Sequence, residues 1–307
     1  MTSSTPTEAS VMRCGIAALV GRPNVGKSTL LNALLGRKVS IVSPKPQTTL
    51  DRIHGVLTKP ACQIIFADLP GLHTHERRTI NRFMNRTALA SLADADVNVL
   101  VVEALRWTDQ DERALEAVKA AARPIVLVIN KVDRAQPRSR LLPYIAELST
   151  KADFAAVVPL SALKRRNLDE LPDLIARQLP ESPQLYPPDQ LTDATERFMA
   201  AEIVREKLTL RLQDELPYGI VVEIEEMGPA ADETNKLLVH AVIWVERTGQ
   251  KAIVIGKGGE TLKEVGRSAR LELKQHFGQP VHLELWVKVK EDWSNDAAAL
   301  RRFGFDG

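Results

Sequence analysis

The chain has 307 residues, enough for about two domains of ordinary size, and its 44% hydrophobic and 26% charged content is that of a globular protein with its own core. Its longest apolar stretches, 97–102 and 124–129, fall far short of the roughly 20 residues that span a bilayer, which excludes a transmembrane helix. The formal charge of +2 excludes no class of partner until it is divided along the chain.

Residues 1–12 read as a polar, frayed tail with no basic-then-apolar secretion pattern, so a cytoplasmic chain is expected. Cys14 and Cys62 each open an apolar run, and no Cys or His pair has ligand spacing; packing is expected, not a disulfide or a metal. His73 and His75, two apart in a loop, lack a third ligand.

Apolar β runs at 16–20, 53–57, 63–66, 97–102, 125–129 and 155–160 alternate with helical stretches, among them 27–35 and 109–122. This predicts an α/β, βα-wound, mostly parallel sheet over 13–179. In such sheets ligands bind where strands end, and the runs are followed by recognisable strings. After 16–20 comes Gly21-Arg22-Pro23-Asn24-Val25-Gly26-Lys27-Ser28-Thr29, a phosphate loop. Its glycines let backbone N–H groups curl round phosphates, Lys27 reaches the outer ones, and Ser28 is expected to ligate Mg²⁺.

After 63–66 comes Asp68-Leu69-Pro70-Gly71. Asp68 is placed to hold a Mg²⁺-bound water, and the Gly71 N–H to sense the γ-phosphate. The partner switch is expected in Gln47-Thr48-Thr49, with Thr49 preferred over Thr48 for completing the Mg²⁺ shell. Asn130-Lys131-Val132-Asp133 follows 125–129. Asn130 should tie the base loop to the phosphate loop, Lys131 lay its stem over the purine, and Asp133 accept the two N–H donors that guanine has and adenine lacks. Ser161-Ala162-Leu163, about 30 residues on, supplies backbone N–H for guanine O6. Together these strings read as a GTP/GDP site.

Leu72 stands where a Ras-like GTPase carries the glutamine that orients the attacking water, so slow intrinsic hydrolysis is expected. Asn24 has a side-chain oxygen able to hold K⁺ beside the phosphates; the rival explanation is a loop asparagine tolerating an unusual φ. Catalytic roles thus fall on Asn24, Lys27, Thr49, Asp68 and Gly71.

The stretch 179–188 carries Pro180, Pro183, Pro187 and Pro188 and reads as a semi-rigid linker, bounded as 180–190. From 191 to 307 the order is α+β: a helix over 193–213, strands 220–226 and 237–246, a short helix ending at 255, Gly256-Lys257-Gly258-Gly259, a helix over 260–277 and a strand over 281–289. The G-x-x-G tetrapeptide lets an RNA backbone lie against a loop at a helix N-terminus. Residues 191–307 are net acidic, but from Arg247 to Lys290 nine basic residues face four acidic ones. Lys263, Arg267, Arg270 and Lys274 recur at helical spacing on one flank, leaving Leu262, Val265, Leu271 and Leu273 to pack elsewhere.

Four further strings carry a family resemblance: Pro46-Gln47-Thr48-Thr49, residues 196–207, Glu215-Leu216-Pro217-Tyr218, and residues 281–290. With them the chain resembles the Era family of bacterial GTPases with a C-terminal KH domain, over nearly its whole length after residue 12. The resemblance implies a type II KH fold and a monomer that binds the 3′ end of small-subunit ribosomal RNA and acts in small-subunit maturation. It also allows for peripheral association with the membrane. Leu50 and Leu69 depart from the Arg and Thr usual in that family. Two rivals remain at this stage, a membrane signalling GTPase without RNA and a GTP-dependent tRNA-modification factor, the latter needing a reactive Cys or a further cofactor domain.

Overall fold

The computed structural model describes residues 12–43, 52–71, 78–212, 220–230 and 236–303. The alternating runs of the first half become β1 (Arg13–Val20), α1 (Lys27–Leu35), β2 (Ile53–Lys59), β3 (Cys62–Asp68), α2 (Thr79–Asp94), β4 (Val97–Glu103), α3 (Asp109–Ala120), β5 (Ile125–Asn130), α4 (Leu141–Ser149), β6 (Ala156–Pro159) and α5 (Leu171–Ala176). The strands are nearly all apolar because both faces of their sheet are covered. Ala17, Leu19, Ile64, Phe66, Val99 and Val101 pack with α1 and α5, while Ala18, Val20, Ala67, Leu100 and Val102 pack with α2 and α3.

The six strands pair in the order β2-β3-β1-β4-β5-β6, parallel throughout except for β2, which runs antiparallel to β3. β1 lies between β3 and β4, so the winding reverses there, and the loop that leaves β1 opens into the crevice at the carboxyl ends of the strands. The helix expected over 109–122 stops at Ala120, because Ala122 turns to φ 51°.

The second half forms α6 (Glu196–Leu212), β7 (Val221–Pro229), β8 (Leu237–Val245), α7 (Thr248–Ile255), α8 (Glu260–Phe277), β9 (Val281–Val289) and α9 (Ala297–Arg302). Its sheet has the order β7-β8-β9, with β7 antiparallel and β9 parallel to β8. Ile203, Val204 and Leu208 of α6 and Val265, Ala269 and Leu273 of α8 cover one face over Val239, Ala241 and Ile243. Leu271, expected to pack, is instead 59% exposed. Each helical residue advances by about 100°, so a side chain two steps from both Ala269 and Leu273 faces away from the sheet.

The proline segment is laid along the first sheet. Cys14 N–H donates to Pro180 O at 3.1 Å, the buried Gln63 amide joins the backbone of Leu185 and Tyr186, and Val56 N–H donates to Leu191 O at 2.8 Å. Asp193 Oδ2 lies 2.5 Å from His54 Nδ1, and the Thr195 hydroxyl accepts the Phe198 N–H at 3.2 Å as a cap, so α6 begins at Glu196 and not at Asp193.

The sequence reading places no element after the last strand, yet residues beyond it fold back onto α2. Trp293, 1% exposed, packs with Ile80, Phe83 and Met84 of α2 and with Val221 and Leu300. The Ile80 N–H donates to Ser294 O at 3.1 Å and the Thr79 N–H to Asn295 Oδ1 at 3.2 Å, satisfying first-turn donors of a helix with no side-chain cap of its own. Near the phosphate loop, Glu206 of α6 accepts the Val42 N–H at 2.9 Å and the Lys38 ammonium at 2.5 Å, and Lys38 also pairs with Glu272 of α8. Trp293→Ala should remove about 3 kcal/mol of stability, read as a lower urea midpoint. An unchanged midpoint would show that this cluster contributes nothing to holding α2 in place.

Candidate functional site

The four strings converge as the strand order requires, since β1, β3, β5 and β6 present their carboxyl ends along one edge. Gly26 takes φ 101° just before α1, and a Cβ there would come within 2.5 Å of Asn130 Nδ2, so close approach of the base loop itself demands glycine. Asn130 Nδ2 donates to Val25 O at 2.8 Å, and Asn130 Oδ1 accepts the Lys131 N–H at 2.7 Å and the Ala162 N–H at 3.0 Å.

Within the phosphate loop the Lys27 ammonium is buried and donates to Gly21 O at 3.0 Å. Burial pushes its pKa down, and the Asp68 carboxylate works against that shift. The Ser28 hydroxyl donates to Asp68 Oδ2 at 2.6 Å, and Ser40, which the sequence reading did not single out, donates to the same oxygen at 2.8 Å. Asp68 is itself fully buried at the end of β3. A hydroxyl and a buried carboxylate side by side, beside a phosphate-type loop, are a donor set of hard oxygens that fits Mg²⁺.

Gly71 backs onto the Pro23 ring, while Val25 and Leu69 have side chains in the core and offer only backbone to the crevice. Asn24 adopts φ 63°, a conformation asparagine tolerates, so a backbone reason for this residue exists apart from any cation. Gln47, Thr48, Thr49, Leu50, Leu72, His73, His75 and residues 215–218 lie outside the described residues.

In the base loop, Lys131 takes φ 63°, and Val132 and Asp133 follow in a single tight turn. Asp133 Oδ1 accepts the Ser161 hydroxyl at 2.5 Å, which aims the carboxylate. The Ser161 N–H bonds Arg166 O and the Ala162 N–H bonds Asn130, so both amides expected to face guanine O6 are engaged within the protein; Leu163 beside them is 63% exposed. Arg22, expected among the nucleotide ligands, points away from the loop's centre to Asp111 and Glu103. Cys14 and Cys62 are buried and unbridged, and burial pushes both thiols up, the state of inert packing residues.

In the second half, Lys257–Gly259 make a tight turn between α7 and α8, with Gly258 at φ 62° and open space where a Cβ would stand. A groove of about 380 Å³ runs from Gly259 between α8 and β9. Leu262, Gly266, Leu283 and Leu285 form its apolar floor, and Lys263 and Arg270 rise beside it. Arg267 lies over the crest of α8, lining a different groove against α6, so the basic stripe straddles two surfaces. The floor was legible in the alternation of 281–289, whose odd positions face the helices. Among the described residues no helix is long and apolar enough to cross a membrane.

Residues 16–131 match the family described as 50S ribosome-binding GTPase, and residues 215–294 match the KH domain. GTPase Era of Marinobacter nauticus is 51% identical over 304 residues, 99% of each chain, and that of Stenotrophomonas maltophilia strain K279a is 49% identical over 300 residues, 98% of this chain and 100% of the other. Among solved structures, Era in complex with MgGDPNP and nucleotides 1506–1542 of 16S ribosomal RNA superposes with a TM-score of 0.93 at 44% identity, covering 96% of this chain and all of the other. An Aquifex aeolicus Era variant bound to GDP·AlF4⁻ gives 0.92 at 44% identity with the same coverage. With identity of this order running from end to end and both halves matched, the chain belongs to the Era family of GTPases.

Proposed function

We propose that this chain is a GTP-binding and GTP-hydrolysing switch that grips the 3′ end of small-subunit ribosomal RNA and assists rRNA processing and assembly of the small subunit. One observation carries this reading: a phosphate loop and guanine loop tied together in the first sheet share a chain with a G-x-x-G turn opening onto an apolar, basic-rimmed groove. The likeness to a relative held with MgGDPNP and 16S RNA supports both halves at once. The working parts are taken as 13–179 and 191–307, joined by 180–190.

In the first part the phosphate-loop amides and Lys27 bind the phosphates, and a nearby anion restores the charge that burial disfavours on Lys27. Ser28 and Thr49 would hold Mg²⁺, with Asp68 holding a water on it; the ion supplies positive charge for the β- and γ-phosphates. Asp133, aimed by Ser161, reads the two guanine donors. Gly71, against Pro23, senses the γ-phosphate, and Leu72 leaves the attacking water without a side-chain partner, so hydrolysis is slow without stimulation. A K⁺ held by Asn24 would offset charge on the transferring phosphoryl group.

In the second part, phosphates lie on Lys257–Gly259 and the start of α8, with Lys263, Arg267 and Arg270 adding positive charge, while unstacked bases enter the groove over Leu283 and Leu285. This work belongs in the cytoplasm; a peripheral contact with the membrane's cytoplasmic face rests on the family resemblance alone. A tRNA-modification factor would need a reactive thiol or a further cofactor domain; neither buried cysteine supplies the thiol, and the matched domains are a GTPase and a KH domain.

Asp133→Asn should lose preference for GTP and gain it for XTP in competition binding; a variant that still prefers GTP refutes the assignment of the guanine loop. Turnover should be faster in K⁺ than in Na⁺ buffer, and equal rates dispose of cation assistance by Asn24. Gly258→Asp has room for its side chain and adds negative charge where phosphate is expected, so affinity for a 3′-end small-subunit RNA oligonucleotide should fall about tenfold or more. Undiminished binding would remove the G-x-x-G turn from the RNA site.

A further inference from the structure

Arg22 stands second in the phosphate loop, but its guanidinium is turned into the protein. Nε donates to Asp111 Oδ2 at 3.0 Å and a terminal nitrogen donates to Glu103 Oε2 at 2.6 Å. Asp111 is held in turn by the backbone N–H and hydroxyl of Thr108, at 3.0 and 2.8 Å. The other Glu103 oxygen, Oε1, lies 3.2 Å from the Lys131 ammonium. Glu103 is thus the shared partner of a phosphate-loop arginine and the lysine of the guanine loop, while both of those chains remain largely out of solvent.

The backbone around Glu103 is fastened as firmly as its side chain. Tyr144 donates its hydroxyl to Glu103 O at 3.1 Å, and the next residue, Ala104, donates its N–H to Asn130 O at 2.8 Å. Burial pushes the Glu103 carboxyl up, but the hydrogen bonds from Arg22 and Lys131 more than reverse this and leave it below the usual carboxylate range, charged in neutral solution. A lysine with a free ammonium samples many rotamers and must be ordered when a ligand arrives; one whose ammonium is already held presents its alkyl stem in a fixed place.

We propose that Glu103 is a positioning residue of the base subsite: it anchors the Lys131 ammonium so that the lysine stem stands as a preformed wall for the purine, with Arg22 and Asp111 holding Glu103 in turn. The proposal rests on the guanine-nucleotide reading given above, and it assigns to Arg22 a structural charge in place of a phosphate contact. Because the wall touches the ring face and not its edge, Glu103 governs how firmly a purine nucleotide is held and leaves the choice between guanine and xanthine to Asp133.

The test uses the full-length protein with Glu103→Gln, Lys131→Met and the two combined, measuring equilibrium binding of fluorescent GDP and steady-state GTP hydrolysis. Glu103→Gln is expected to weaken GDP binding about tenfold and raise KM for GTP by a similar factor, with kcat unchanged within about twofold. Lys131→Met should do the same, and the double variant should be no worse than the poorer single one, because both remove one device. Relative affinity for GDP over XDP should not move in Glu103→Gln. Unchanged GDP affinity, losses that multiply in the double variant, or a fall in kcat at constant KM would each overturn the proposal. Should Glu103→Gln not fold, Glu103→Asp keeps the charge beside Arg22 while drawing an oxygen back from Lys131; weaker GDP binding then supports the proposal and unchanged binding overturns it. Failure of the parent reading looks different: the unmodified protein would hold ADP as firmly as GDP.

Discussion

The amide of Asn130 is the fastening on which the nucleotide site depends. Its nitrogen reaches across to Val25 in the phosphate loop, and its oxygen collects the N–H groups of Lys131 and Ala162. Three loops that follow three different strands are thereby held by one side chain, buried where water cannot compete. No shorter or purely accepting side chain could do this, since the position needs a donor and an acceptor on the same planar group. The glycine at position 26 is a consequence of the same bond, because the approaching amide occupies the space a Cβ would need.

Around that fastening, charge is arranged so that each buried ion has a partner. Arg22 faces Asp111 and Glu103, Glu103 faces Lys131, and Lys27 faces backbone carbonyls with Asp68 behind them. Removing one member of such a set leaves an uncompensated charge out of water, a larger loss than the pair's net contribution to stability. A second set joins the two halves, where Lys38 and Lys207 share Glu206 and Glu272. Hydrogen bonds from those lysine ammoniums hold the Glu272 carboxyl below its usual range against the opposing effect of burial. Val42, the last described residue but one before the segment expected to respond to the γ-phosphate, bonds Glu206 of α6 directly.

Much of this was legible in the residues. The period-2 and continuous apolar runs marked the nine strands of the described residues within a few residues, since strands buried on one or both faces leave little else for a sequence to say. The phosphate loop, Asp68 and the guanine loop announced themselves as motifs because their backbone conformations restrict which residues fit. Other features had no such signature. Arg22 looks like any cation in a phosphate loop until its carboxylate partners, far off in sequence, are brought beside it. The Ala162 amide has an acceptor only because Asn130 arrives from a neighbouring strand. Trp293 and Leu300 sit in a stretch too short for a periodic pattern, with α9 only six residues long, so their burial follows from what α2 presents to them.

That last contact carries an implication for how the molecule is made. The helix that follows the Asp68 loop leaves the ribosome with its leading amides lacking an acceptor, and Asn295, which takes one of them, is translated 216 residues later. Vectorial synthesis therefore delivers the phosphate-binding half well before α2 can be capped. The enzyme's own birth order keeps that helix incompletely secured until the RNA-gripping half has emerged and its tail has doubled back.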